Sequence, residues 1–253
     1  MLKTLYRIYQ VCVVLPCVVL LTIATCIVIT IGCALGGGHF FGYWPGHVWA
    51  WCITRLLLLP VRVEGRERLA KGQSYVFVAN HQGAPDIFLI YGFLRRNFKW
   101  MMKYQLLKIP FVGFACKRSH QIAVDKRGPR RIKASYDQAR ATLRDGISVC
   151  VFPEGARTFT GHMGFFRRGA FLLADELQLP VVPMTINGSF RVLPRMRDGK
   201  FVEWHPLSLT IHDPIAPIGK GDENVKNAME RSYEAIQSAL EPEFRGYVEN
   251  PDQ

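Results

Sequence analysis

Two residues five apart, His81 and Asp86, are the first candidates for chemistry in this sequence. They lie in Asn80-His81-Gln82-Gly83-Ala84-Pro85-Asp86, directly behind the apolar run Tyr75 to Ala79, which reads as a strand. Pro85 suits the first position of a helix, where a missing N–H costs nothing. On a regular helix, side chains five apart point to different faces. Across a strand-to-helix turn they can meet, with the Asp86 carboxylate accepting a hydrogen bond from one ring nitrogen of His81. That bond fixes the tautomer and leaves the other nitrogen free to take a proton, which is an oriented general base. An isolated H-x4-D is also what ordinary loop chemistry produces, with Asp86 favoured by the helix dipole and His81 a polar loop residue. The rest of the chain has to decide.

Further charged candidates follow apolar runs. Lys103 closes Lys99-Trp100-Met101-Met102-Lys103, and Lys126 stands in Val124-Asp125-Lys126-Arg127. Arg157 stands in Phe152-Pro153-Glu154-Gly155-Ala156-Arg157-Thr158. Taken singly, each is an ordinary solvated charge. Gathered at strand ends around His81, Arg157 and Lys126 would clamp a phosphate, the arginine through a forked pair of bonds and the lysine as a point charge.

The elements that would gather them are short apolar strands alternating with helical stretches. Val61–Val63, Tyr75–Ala79, Gln121–Val124, Ser148–Phe152, Val181–Ile186 and Leu207–Ile211 read as buried strands. Asp86–Arg95, Pro129–Arg144, Gly169–Gln178 and Glu223–Leu240 read as helices. This alternation predicts an α/β fold with a mostly parallel central sheet flanked by helices. Ligands then bind beyond the carboxyl ends of the strands, where His81 falls.

The first sixty residues differ in kind. No Lys, Arg, Asp or Glu occurs between Arg7 and Arg55, and Val11–Leu35 is long enough as a helix to cross a bilayer. Gly36, Gly37 and Gly38 break it, and a second apolar stretch follows with Trp44, Trp49 and Trp51 near its start, as at a membrane interface. The reading is an N-terminal helical membrane anchor over 1–60 and a globular domain over 61–253. The anchor is either one spanning helix with an interfacial one or a hairpin sunk in one leaflet. A cleaved signal peptide fits less well, because the core is long and has no A-x-A site. Arg55, Arg62, Arg66, Arg68 and Lys71 outnumber Lys3 and Arg7, which puts the globular domain in the cytoplasm. The net charge of +12 suits anionic headgroups, coenzyme A phosphates or an acidic carrier protein. It forms no nucleic-acid reader motif, so no nucleic-acid partner is expected. The seven cysteines include no CxxC pair, so neither a zinc site nor a disulfide framework is indicated.

The order NHQGAPD, KYQLLKIPFVG, IAVDK, FPEGART and VVPMTI resembles the motif blocks of the 1-acyl-sn-glycerol-3-phosphate acyltransferases, over about residues 75 to 190. The resemblance implies His81 as catalytic base and Asp86 as its partner. It implies Glu154, Gly155 and Arg157 in acceptor binding, Lys103 and Lys126 as further binding residues, and Pro183 as the proline of the last block. It implies no metal and no cofactor. Its substrates are a lysophospholipid acceptor and acyl-CoA or acyl carrier protein, its setting is among membrane lipids, and its product is phosphatidic acid. Another lysolipid acceptor, or a non-catalytic lipid-binding protein, are the alternatives. Gly83, Ala156 and Lys126 stand where the family often has Ser, Thr and Arg.

Overall fold

The structure, a computed structural model, describes residues 1–125, 127–143, 146–197 and 201–248. Helix α1 (Leu2–Tyr9), a π-helical segment (Gln10–Val14) and α2 (Leu15–Ala34) run on as one helix of 33 residues, about 50 Å long at 1.5 Å per residue. Pro16 gives the π segment a cause: its ring crowds the carbonyl four residues back, and the wider turn makes room. The chain then reverses at Gly36, whose φ of +89° is open to glycine at little cost. After the reversal come α3 (Gly38–Phe41) and α4 (Trp44–Leu56).

The remainder alternates as expected: β1 (Val61–Glu64), β2 (Val76–Ala79), α5 (Pro85–Phe93), β3 (Phe98–Lys103), α6 (Val112–Arg118), β4 (Ile122–Val124) and α7 (Pro129–Thr142). Then follow β5 (Ser148–Val151), α8 (Gly169–Leu177), β6 (Val181–Asn187), α9 (Ser189–Val192), β7 (Leu207–Ile211) and α10 (Asp222–Ala239). The seven strands form one sheet in the order β1-β7-β6-β2-β5-β3-β4, and only the β6–β7 pair is antiparallel. The mostly parallel α/β sheet read from the sequence is therefore present.

Successive side chains of a strand point to opposite faces, and β2 shows both halves of the core. Phe77 and Ala79 pack with Ile53 of α4 and Leu89 and Ile90 of α5, whereas Val76 and Val78 pack with Phe171 of α8 and Val225 and Ile236 of α10. Each such side chain contributes roughly 1.5–3 kcal/mol on burial. One apolar cluster holds Tyr43, Ala50, Ile53 and Leu57 together with Phe77 and Leu89, so a single core runs across residue 60. The long N-terminal helix also touches the body at both ends. Gln10 exchanges two hydrogen bonds with the Val202 backbone (2.8 and 2.9 Å), and Cys26 and Ile29 cluster with Ala115 of α6.

Strand β3, helix α6 and the single-turn helix α9 were not read from the sequence. Strand β3 carries Lys99 and Lys103, which break the apolar run; the Lys99 side chain is buried, and its ammonium donates to the Gly42 carbonyl (3.1 Å). Helix α6 is short and follows Pro110, leaving little periodicity to detect.

Candidate active site

Strand β2 lies between β5 and β6, and its carboxyl end leads into the loop that carries His81. Asn80 ties that loop to β6: its side chain donates to the Ile186 carbonyl (2.9 Å) and accepts from the Ile186 N–H (2.8 Å). The following turn brings residues five apart together. His81 Nδ1 donates to Asp86 Oδ2 at 2.7 Å, and the same oxygen accepts from the N–H groups of Gln82 (2.8 Å) and Gly83 (3.0 Å). Asp86 is fully buried and sits in the first turn of α5, where the helix dipole favours a negative charge. Three donors on one oxygen fix both the loop and the tautomer, so Nε2 carries the lone pair. Among the described residues Nε2 has no hydrogen-bond partner. The imidazole lies flat against Phe152, 3.8 Å between centroids and 7° between planes, and Trp100 in turn stacks with Phe152 at 5.5 Å. An imidazolium formed there meets the negative face of an aromatic ring.

The loop after β5 brings the next candidates alongside. Glu154 is buried; Oε1 accepts from the His81 N–H (2.7 Å) and Oε2 from the Gly164 N–H (2.8 Å). Burial pushes its carboxyl up to about 8, with the nearby Asp86 charge adding, while the two amide donors pull the other way. With each oxygen accepting from a backbone N–H, Glu154 holds the two loops together. Gly155 has φ +78°, and a Cβ there would stand 2.9 Å from Arg167 Nε, so this glycine shapes the turn. Arg157 is half-buried, and the next residue, Thr158, donates its N–H to the His81 carbonyl (2.9 Å).

Lys103 ends β3, two strands from β2 in the order β2-β5-β3, so about 10 Å across the sheet edge. It is exposed and makes no hydrogen bond or ion pair with the other candidates among the described residues. Lys126 lies outside the described residues. Its neighbour Arg127 lies over the Tyr104 ring, 4.8 Å from the centroid. It grips Asp125 through Nε (2.8 Å) and Nη2 (2.7 Å), and Arg131 joins at 2.9 Å. These arginines hold the Asp125 carboxyl well below the usual range. Among the described residues no group of three or more His, Cys, Asp or Glu is placed to hold a metal ion.

The Acyltransferase family model matches residues 60–187, about half of the chain, and spans every residue of this site named so far. The chain belongs to the acyltransferase family. Its relatives include a 1-acyl-sn-glycerol-3-phosphate acyltransferase of Chlamydomonas reinhardtii, 28% identical over 81% of this chain and 60% of the algal protein. The alpha form from Mus musculus is 30% identical over 68% of this chain and 64% of its own length. The chain thus spans less than two thirds of these relatives. The fold is that of the solved 1-acyl-sn-glycerophosphate (LPA) acyltransferase PlsC from Thermotoga maritima, with a TM-score of 0.63 and 24% identity, covering 88% of this chain and 97% of that one.

Two residues of this acyltransferase site escaped the sequence reading. Phe152 was read only as the end of a strand. Arg195 follows α9, and its Nη1 reaches the Arg157 carbonyl (3.4 Å) while its guanidinium lies 4.0 Å over the Phe159 ring. A backbone bridge between Gly83 and Pro194 brings this segment to the His81 loop. The same contact explains Gly83, where the family often has Ser. A Cβ there would meet Ser189 Oγ at 2.6 Å, the Ser189 carbonyl at 2.7 Å and the Leu193 carbonyl at 2.8 Å.

Proposed function

We propose that this chain transfers a fatty acyl group from acyl-CoA or acyl carrier protein to the sn-2 hydroxyl of 1-acylglycerol-3-phosphate, giving phosphatidic acid. The observation that carries the reading is the His81–Asp86 pair, 2.7 Å apart at the carboxyl end of the central strand with Nε2 turned free and Arg157 and Arg195 on adjoining loops. The acceptor hydroxyl binds to Nε2, which takes its proton as the oxygen attacks the thioester carbonyl carbon. Asp86 and the Phe152 face stabilise the imidazolium. The tetrahedral intermediate collapses with cleavage of the C–S bond, and the imidazolium returns the proton to the departing sulfur. No acyl-enzyme is required, because the acceptor is the nucleophile, and no cofactor enters. Positioned base catalysis supplies about 10² to 10⁴-fold. Arg157, Arg195 and Lys103 hold the phosphate, and Glu154 and Gly155 shape the loop that presents Arg157.

In this reading residues 1–60 are the membrane anchor and 61–253 the acyltransferase domain, facing the cytoplasm. The N-terminal helix is long and apolar enough to cross a bilayer. Its contacts with the body at Gln10 and again at Cys26 and Ile29 favour the hairpin lying in one leaflet, because a body outside the membrane cannot touch both ends of a spanning helix.

The test uses the purified full chain with one long-chain acyl donor and a panel of acceptors: 1-acylglycerol-3-phosphate, lysophospholipids with larger headgroups, a lyso-aminolipid and an uncharged monoacylglycerol. Preference for the phosphomonoester supports the assignment. Equal use of the uncharged acceptor overturns it.

A further inference from the structure

The segment between β3 and β4 has a composition unlike the rest of the body. From Ile87 to Val124 there is no Asp or Glu, against seven Lys and Arg. Within it, a 3-10 turn (Tyr104–Lys108) and α6 form a hairpin whose outer side is apolar: Leu106, Ile109, Phe111 and Phe114 are 40%, 45%, 59% and 52% exposed. The display is built in. Phe111 has φ +59°, a backbone that a bulky residue rarely adopts, and Gly113 fits so closely under the turn that a Cβ would meet the Leu107 carbonyl at 2.1 Å. A tightly packed turn therefore holds two phenylalanines outward.

We propose that this hairpin is a second membrane contact that inserts Phe111 and Phe114 at the headgroup–acyl boundary of an anionic bilayer. Two observations choose a bilayer as the occupant. The first is continuity: Phe111 and Phe114 share an apolar groove of about 250 Å³ with Cys26, Ile27, Thr30 and Ile31 of α2, so their surface continues that of the anchor helix. The second is charge. Lys108, Lys117 and Arg118 flank the apolar tip along the chain, all exposed, and no carboxylate pairs with any of them among the described residues. Arg118 lies 5.2 Å over the Phe114 ring, a long stem along an apolar surface with its charge at the rim. An apolar tip flanked by basic residues matches acyl chains beneath anionic headgroups. Anchored at α2 and at this hairpin, the body has a fixed tilt, and the carboxyl end of β3, next to the hairpin, is held toward the lipid surface.

This inference rests on the reading of residues 1–60 as a membrane anchor, and the experiment separates the two. The full chain, reconstituted into phosphatidylglycerol–phosphatidylcholine vesicles, carries p-benzoylphenylalanine in place of Phe111, Ile31 or Lys226, one position at a time. Lys226 is an exposed site on α10, on the opposite face of the sheet. After illumination, phospholipid adducts are expected at 31 and 111 and not at 226. An adduct at 31 without one at 111 overturns the hairpin contact and spares the anchor; no adduct at either overturns both. Crosslinking of 111 to protein instead of lipid also overturns the proposal. As a second readout, Phe111→Ser with Phe114→Ser is expected to lower activity on vesicles about five-fold or more while changing activity in detergent micelles less than about two-fold. An equal loss in both media would show a damaged fold and count against the membrane role.

Discussion

Replacing Asp86 by Asn isolates the charge beside His81 from the geometry that holds it. The Asn oxygen can occupy the place of Oδ2 and keep the three N–H donors of His81, Gln82 and Gly83. The amide nitrogen falls where Oδ1 now sits buried without a partner. What disappears is the negative charge facing the imidazolium in the transition state. Charge centres roughly 4 Å apart interact by about 4 kcal/mol at an effective dielectric near 20. At 1.36 kcal/mol per factor of ten, kcat is expected to fall about 10³-fold. KM for the acceptor should stay within about three-fold, because Asp86 touches no substrate. The assay follows thiol release from a long-chain acyl-CoA at saturating 1-acylglycerol-3-phosphate, with far-UV circular dichroism to confirm the fold. A kcat loss below about ten-fold, or a loss carried by KM, refutes the role given to Asp86.

Other perturbations read other parts of the site. His81→Ala should abolish transfer while the protein stays folded and vesicle-bound, as flotation with vesicles would show. Glu154→Gln can satisfy only one of the two amide donors that meet the carboxylate, so thermal or denaturant unfolding should show a loss of about 1–3 kcal/mol together with a reduced kcat. Because burial raises this carboxyl from 4.5 to about 8, the folded form holds a proton that the unfolded form has lost, and its contribution to stability is full below 4.5 and declines as pH rises toward 8. Stability of the Gln variant should lack that slope between 4.5 and 8. Arg157→Ala and Arg195→Ala should each raise KM for the phosphorylated acceptor about ten-fold and leave an uncharged acceptor unaffected; an equal loss on both acceptors contradicts the phosphate role. Gly83→Ser must displace two carbonyls and the Ser189 hydroxyl, and should cost about 1–3 kcal/mol by thermal unfolding.

The parts legible in the sequence were those written locally. The β-branched runs at Val76–Ala79 and Val181–Asn187 are strands because little else buries such sequences, and Pro85 marks the helix start that lets His81 and Asp86 face each other. What was hidden depends on distant chain returning to the site. Lys99 looks like a strand breaker until the Gly42 carbonyl arrives to receive its ammonium. Nothing near Glu154 in sequence reveals that Gly164 and His81 bring their amides to its two oxygens. Arg195 enters only because β6 runs beside β2 and the segment after it folds onto Gly83. Phe152 was within reach: it stands next to a strand end in the block that carries Arg157, and its ring needed only the neighbouring strand to meet His81.

Glu154 fastens the His81 turn to the loop that carries Arg157 with a single side chain, so neither can shift without moving the other. Under the proposed function, a lineage that reshapes this loop to accept a different headgroup pulls on the backbone of His81 as well. Changes of acceptor should therefore arise outside this clasp, at rim positions such as Lys103 and Arg195, while the residues between 154 and 164 vary little in length.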